Sequence, residues 1–206
     1  DPGSYARTSL AFHWNPDVAA EFVRPGAGGT VSYGRGDGQL NYQRAELRLS
    51  ARTNPGRWTF ASRFDAGALF GPDRPRQQLF ELGSTQNLPG YEYKEFAGDQ
   101  AAVLRGLAMY RLDIWQAPIR VTTRLWLPAL APALSVTAQA GWTGASGGAA
   151  RLAVARLAPG STVTGEARST VAAGIRFFGG AVGVMAARAV DHSAPWSVRF
   201  QFGQIF

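Results

Sequence analysis

The chain has 206 residues, a formal net charge of +7 and no cysteine, which excludes a disulfide framework and any cysteine-ligated metal site. Lys94 is the single lysine among 21 basic residues, and these are spread along the chain rather than gathered in an arm, so we expect no nucleic-acid partner. No stretch of about 18 apolar residues predicts a transmembrane helix. A transmembrane β-strand needs only about 9–11 residues with alternate positions apolar, and the mean hydropathy of −0.11 is compatible with such strands.

Alternation of apolar and polar residues with a period of two runs through most of the chain and predicts strands. In chain order, we expect strands near 5–14, 30–35, 39–52, 57–70, 100–112, 117–127, 134–142, 167–178, 181–190 and 196–206. The one helical pattern, over 15–26, is short and bounded by proline, so it predicts at most one or two turns. Clusters of glycine, proline and aspartate separate the strands. The sequence therefore predicts an all-β, antiparallel domain over residues 1–206 with nine or ten strands.

The two faces of these strands favour a membrane barrel over a soluble β-sandwich, although both folds alternate. The polar faces carry repeated arginines beside small residues such as Gly67 and Gly106, which suits a crowded, hydrated lumen. The apolar faces carry aromatic residues near strand ends, such as Trp58, Phe70 and Trp196, which is typical of interfacial aromatic girdles. A soluble sandwich that buries the apolar faces stays open as the alternative.

One segment, residues 79–99, is too polar and too rich in turns for a strand, although strands flank it. A loop of this length is uncommon unless it is functional. Gly90 permits a tight tip, and four aromatic residues supply apolar area to bury: Phe80, Tyr91, Tyr93 and Phe96. So polar a loop can lie at membrane depth only where it lines a protein-enclosed, hydrated cavity.

The same segment resembles the bacterial surface antigen superfamily of outer-membrane β-barrels, which includes BamA-type and TamA-type assembly factors and two-partner-secretion transporters. That family has Phe-x-Leu-Gly-Gly, then a Val/Leu-Arg-Gly-Phe/Tyr tip, then a closing Gly-Asp. The matching loop-end residues are Phe80, Leu82, Gly83, Gly98 and Asp99, and the matching tip residues are Leu88, Pro89, Gly90 and Tyr91. The flanking segments 42–71 and 169–206 are similar to the neighbouring strands of the family. The final aromatic residues are similar to a C-terminal outer-membrane assembly signal: Phe200, Phe202 and Phe206.

This resemblance implies the C-terminal part of a sixteen-stranded transmembrane barrel in a Gram-negative outer membrane, with residues 79–99 inserted into the lumen. It implies a function in inserting or translocating proteins, with no enzymatic activity and no cofactor or metal. The implied partners are outer-membrane lipid, further barrel strands or an upstream segment of the same protein, periplasmic POTRA repeats and a protein complex.

The chain departs from the family at the loop tip. Pro89 stands where the family has arginine, and Gln139 stands where the family has the acid that meets this arginine. Arg111, on the strand after the loop, is also expected on the lumenal wall near the tip. Loss of one partner of a buried ion pair costs about 3–5 kcal/mol, whereas replacement of both can be nearly neutral. The alternative function is therefore a degenerate barrel that anchors a larger assembly without transport.

Other motifs have simpler interpretations. Ser146 fits a Gly-x-Ser-x-Gly pattern, but a nucleophile elbow needs a strand before it and a helix after it, and we favour a flexible loop. The neighbours Asp191, His192 and Ser193 are expected in a turn rather than in a catalytic relay. His13 has no second ligand nearby in the sequence, so we expect no metal there.

Overall fold

The computed structural model of the chain describes residues 4–15, 24–83, 88–120, 122, 126–191 and 195–202, with only the backbone of Phe202. The strands are β1 (Tyr5–Trp14), β2 (Gly26–Gly38), β3 (Tyr42–Thr53), β4 (Trp58–Phe70), β5 (Phe80–Leu82), β6 (Phe96–Gly98), β7 (Gln100–Arg111), β8 (Ile119–Arg120), β9 (Trp126–Leu127), β10 (Ala133–Gly144), β11 (Arg168–Phe177), β12 (Val182–Ala189) and β13 (Ser197–Phe202). One α-helix, α1 (Gly148–Ala155), and two 3-10 helices, Arg76–Gln78 and Phe178–Gly180, complete the described elements. No helix in these ranges has the length and apolar character needed to cross a membrane.

Nine strands form one antiparallel sheet in the order β1-β2-β3-β4-β7-β10-β11-β12-β13. Each long strand pairs with the next long strand along the chain, so the sheet is a continuous meander. The all-β, antiparallel prediction is therefore confirmed. β1 and β13 are the edge strands, and neither has a second neighbouring strand in the part of the chain that the structure describes.

The predicted strand over 117–127 is wrong. β7 and β10 pair directly with each other over their whole length, from Ala133 opposite Arg111 to Gly144 opposite Gln100. The described residues between these two strands are therefore not part of the nine-stranded sheet, and Pro118 and Pro128 lack backbone donors for a ladder. In this connection β8 and β9 form a separate short hairpin.

On the central strands β4, β7, β10, β11 and β12 the two faces of the sheet are buried to opposite extents, as β10 illustrates, whereas β1 is exposed on both faces. Ser135 and Thr137 are each 3% exposed and Gln139 is 5% exposed, whereas Leu134 and Val136, which alternate with them, are 49% and 56% exposed. We call the first side the polar face and the second the apolar face. Large exposed side chains continue the apolar face across the strands: Leu10, Phe12, Val31, Leu49, Phe60, Leu104, Ile175, Val184, Val198 and Phe200. This burial is the reverse of that in a soluble sandwich, whose apolar faces are inside.

The polar face is covered by two connections. The first, residues 71–99, joins β4 to β7 and contains the β5–β6 hairpin; we call it the docked loop. It begins earlier than the predicted 79–99 because β4 ends at Phe70 and a 3-10 helix precedes β5. The second, residues 145–167, joins β10 to β11 and contains α1, whose Ala153 and Val154 pack with Leu79 and Ala97 of the docked loop. The apolar core therefore lies between these connections and one end of the polar face.

Candidate functional site on the polar face

The tip of the docked loop, Leu88–Tyr91, lies on the polar face over β10 to β12. Leu88 is fully buried, and its N–H donates to Oε1 of Gln139 on β10 at 3.2 Å. Gly141, two residues further along β10, makes room for the leucine, because a Cβ added there would lie 2.9 Å from Leu88 Cδ1. The structure thus brings Leu88 and Gln139 together through a neutral hydrogen bond.

Gly90 is required by the close approach of the tip to β12. Its φ of +113° is one that L side chains rarely adopt. A Cβ added at Gly90 would lie 2.7 Å from the backbone nitrogen of Ala189 and 3.0 Å from the carbonyl carbon of Arg188. Because both atoms belong to a sheet strand, neither can move without distorting the ladder. The tip can dock at this distance only with glycine here.

Tyr91 fixes the other side of the tip. Its hydroxyl donates to the carboxylate of Asp191, just after β12, and Arg168 of β11 donates to the same carboxylate at 2.7 Å. Burial and the nearby Asp191 carboxylate raise the pKa of Tyr91 well above its ordinary value. Burial alone would raise the pKa of Asp191, but the hydrogen bonds from Tyr91 and Arg168 outweigh it and hold that pKa below its ordinary value. The protonated phenol and ionised carboxyl therefore persist together over a wide pH range.

The predicted loop ends form the base of the β5–β6 hairpin, where Phe80 pairs with Gly98 and Leu82 with Phe96. The Phe80 ring lies over Gly67 of β4, where an added Cβ would come within 2.4 Å of the ring. The guanidinium of Arg44 lies on that ring, 4.3 Å from its centroid. Gly67 and the cation–π contact of Arg44 therefore hold Phe80 of the docked loop against the sheet.

Gly83 and the tip close the turn side of this hairpin. Gly83 has a φ of +102°, and a Cβ there would lie 2.1 Å from the Glu92 carbonyl oxygen. The buried residues of the hairpin and tip share one apolar cluster with the sheet: Leu82, Leu88, Tyr91, Phe96, Val103 and Ala189. The cluster accounts for Tyr91 and Phe96, but the prediction that Tyr93 is buried is wrong, because its side chain lies at the turn of the hairpin and is 73% exposed.

Asp99 closes the docked loop as a fully buried carboxylate. It accepts hydrogen bonds from Arg74 Nε at 3.0 Å, from the backbone N–H of Ser146 at 3.0 Å and from the Ser146 hydroxyl. The carboxylate joins both ends of the docked loop to the connection that carries α1. Although a strand precedes Ser146 and a helix follows it, its hydroxyl is committed to a structural contact. His13, the histidine within the described residues, contacts Thr30, and His192 and Ser193 lie outside those residues.

The expectation that Arg111 lies beside the tip is wrong. Arg111 lies at the far end of β7, where it contacts the Gly56 carbonyl in the β3–β4 turn. The residue of β7 opposite Gln139 is Arg105, which is 8% exposed and forms an ion pair with Asp65 at 3.4 Å. Strand alternation identifies the polar face, but it does not identify the level along the strand at which a loop docks.

Asp65 of β4 is the centre of a charge network on the polar face. Arg48 and Arg63 each approach its carboxylate to 2.8 Å, and Arg105 approaches it to 3.4 Å. These arginines outnumber the acid, so this part of the polar face is positively charged. The described residues contain no group of three histidine, cysteine, aspartate or glutamate side chains that could hold a metal ion.

The predicted C-terminal signal is only partly within the described residues. Phe200 on β13 is 66% exposed on the apolar face, beside Val198 at 68%. Phe202 pairs through its backbone with Val182. Phe206 lies outside the described residues.

Sequence comparison adds no relative to this description: no model of a known protein family and no curated protein matches the chain. Function is therefore inferred from the geometry itself. That geometry consists of an exposed apolar face, a positively charged polar face that is buried on the central strands, and a loop docked on the polar face by Leu88, Gly90 and Tyr91.

Proposed function

We propose that the sheet is part of the wall of a bacterial outer-membrane β-barrel, with the apolar face toward lipid and the polar face toward a hydrated lumen. The carrying observation is the reversed burial, in which Thr137 and Gln139 are covered while Leu134 and Val136 of the same strand are exposed. Soluble monomers rarely expose continuous apolar patches of more than a few hundred Å². In a membrane barrel the exposed apolar face would contact lipid rather than water, because outward apolar and inward polar residues alternate along barrel strands.

The edges of the sheet support the same proposal and extend it. Backbone groups in lipid must be paired, so an open edge is not tolerated there. The edge strands β1 and β13 therefore need further strands, which either the same protein or a partner chain supplies. A sixteen-stranded barrel of the surface antigen type is the arrangement that the docked-loop residues favour.

Within that barrel we assign a non-enzymatic function in the insertion or translocation of proteins at the outer membrane. The support is the docked loop, which reaches β10 and β12 through Leu88, Gly90 and Tyr91, the residues that resemble the family tip. The loop is held by specific polar contacts of Leu88 and Tyr91 as well as by the apolar cluster that it shares with the sheet. Such contacts suit a segment whose position on the wall matters for activity.

A second candidate, a barrel that anchors a larger assembly without transport, is favoured by the chemistry of the tip. The contact between Leu88 and Gln139 is a neutral hydrogen bond, and Pro89 carries no charge. The fixed charges near the tip instead hold the loop through Asp191 and Arg168. This arrangement suits a loop that stays docked.

An insertion assay separates the two candidates. Liposomes that contain the chain together with the strands that complete its barrel should accelerate the folding of a urea-denatured outer-membrane barrel, relative to liposomes that contain an unrelated porin. Equal rates would reject the insertion function and favour the anchor. The double substitution Pro89→Arg with Gln139→Asp restores a charged pair at the tip, and we expect it to increase the acceleration if the chain is an insertion factor.

A further inference from the structure

A small cavity lies on the polar face directly beneath the loop tip. Its volume is ≈ 20 Å³, and Pro89 of the tip covers it. Side chains of β10 and β13 contribute its polar lining: Thr137, Gln139, Arg199 and Gln201. A volume of this size holds about one water molecule or one ion of similar radius.

Arg176 of β11 does not line this cavity, but it places a buried positive charge behind the wall, against the lining residues Gln201 and Met185. It is 2% exposed, and its guanidinium donates to Gln201 Oε1 at 3.3 Å and Ser135 Oγ at 3.2 Å and contacts Met185 Sδ at 3.5 Å. Gln201 and Met185 also line the cavity. All three partners are neutral, and no carboxylate of the described residues lies within ion-pair distance of Arg176. A buried charge without a counter-charge is strongly unfavourable.

The sheet is shaped to hold Arg176 in this position. Gly183 of β12 lies opposite Arg176 on one side and opposite Gln201 on the other. A Cβ added at Gly183 would lie 3.3 Å from Arg176 Cγ, so glycine lets the arginine cross β12 and reach β13. The Arg176 side chain therefore lies along the polar face of the sheet instead of pointing into solvent.

Arg199 is a second cation at the same cavity. Its Nε donates to Ser197 Oγ at 3.3 Å, which is again a neutral partner. The arginines at the other end of the polar face differ, because Arg48 and Arg63 share the carboxylate of Asp65. Both regions carry excess positive charge, but only the arginines around Asp65 share a carboxylate, whereas the described partners of Arg176 and Arg199 are neutral.

We infer that this cavity binds a monovalent anion of halide size, with chloride as the natural ligand. Arg199 supplies a charge at the cavity, Arg176 supplies a second charge behind its wall, and Thr137 supplies a hydroxyl donor. The space beneath the tip accommodates one particle of about the radius of water, which fits a halide ion. The site goes beyond the proposed membrane function and does not depend on it, because the polar face supplies every ligand.

Unfolding of the purified full chain in non-ionic detergent tests the site. The stability of the chain in sodium chloride and sodium bromide is compared with its stability in sodium gluconate and sodium sulfate at equal ionic strength. Electrostatic screening by salt then has the same effect in every series. Once chloride exceeds its Kd, each tenfold increase should raise the ratio of folded to unfolded chain about tenfold above the gluconate series. Identical chloride and gluconate series would mean that the cavity holds only water, and would overturn the inference.

Two variants and a control make the test specific. Gln201→Glu places a carboxylate where Arg176 now meets an amide, so the chain should fold and lose the halide-specific part of its stability. Arg176→Met removes the buried charge and should lose the same part. The control Arg57→Met removes an exposed arginine that pairs with Asp113, and it should keep the full halide response. Retention of that response by both site variants would overturn the inference. None of these measurements involves lipid, so failure of the membrane proposal would leave them unchanged.

Discussion

Substitution of alanine for Gly90 should release the loop tip from the sheet. The added Cβ would lie 2.7 Å from the backbone nitrogen of Ala189 and 3.0 Å from the carbonyl carbon of Arg188, at a φ of +113°. Neither obstacle is a flexible side chain. The tip must therefore move away from β12, and the short contacts of Leu88 and Tyr91 move with it.

The size of the effect follows from the strain at that position. Holding a non-glycine residue in a sparsely populated backbone region costs about 1–3 kcal/mol, which corresponds to a roughly 5- to 150-fold increase in the undocked population. Since Leu88 is fully buried and Tyr91 is 4% exposed, undocking also exposes apolar area. The sheet itself should keep its stability, because the substitution touches the loop alone.

The single lysine provides the assay. Lys94 lies in the docked loop and binds Glu81 at 3.0 Å, so a lysine-specific endoprotease can cut the chain at one place only. Gly90→Ala should be cut about 5- to 150-fold faster than the wild-type chain. The matched control is Gly147→Ala, where an added Cβ meets nothing within 4 Å. Equal cleavage of Gly90→Ala and wild type would refute the docking geometry.

Three further predictions concern the same loop. Gln139→Leu leaves the buried Leu88 N–H without its acceptor and should destabilise docking of the tip by about 1–3 kcal/mol. Gln139→Glu retains an acceptor and should keep the tip docked. The rate of cleavage at Lys94 by the lysine-specific protease compares the two variants. Asp99→Asn should lower the unfolding free energy by about 3–5 kcal/mol in urea, whereas Asp37→Asn at an exposed pair should change it by less than about 1 kcal/mol. The pKa of Asp191 is lower in the folded chain than its ordinary value of 3.8, so its ionisation stabilises the fold. This contribution to the unfolding free energy is fully present above pH 3.8 and is lost as the pH falls through the lower folded pKa. The pKa of Tyr91 is higher in the folded chain than its ordinary value of 10.0, so its protonated form also stabilises the fold. This contribution is fully present below pH 10.0 and is lost as the pH rises through the higher folded pKa. The difference in urea midpoint between wild type and Asp191→Asn should therefore be constant between these limits and shrink outside them.

Much of the sheet could be predicted from the sequence, because period-two alternation reports which face each residue takes. It placed Val198 and Phe200 on one face and Arg199 on the other, as the structure has them. It failed over 117–127, where alternation continues although the neighbouring strands already pair with each other. The alternation of apolar and polar residues does not show whether a neighbouring strand has a free edge with which the segment could pair.

The site was predictable only in part for a related reason. The tip does contact Gln139, through the Leu88 N–H rather than through Pro89, but Arg111 lies at another level of β7. The contact between Tyr91 and Asp191 joins residues 100 positions apart, and no local pattern signals it. The contact of Arg176 with Gln201 beside the cavity likewise arises from the register of β11 to β13, which strand periodicity does not specify.

Site-directed spin labelling along β10 tests the central claim, that the apolar face lies against lipid, most directly. The chain has no cysteine, so single cysteines at 134–139 can be labelled without background. In liposomes, labels replacing Leu134, Val136 and Ala138 should be accessible to oxygen and shielded from a water-soluble nickel complex. Labels replacing Ser135, Thr137 and Gln139 should not share this lipid signature. Nickel accessibility of the first three equal to that of a label in free solution would contradict the membrane orientation of the sheet.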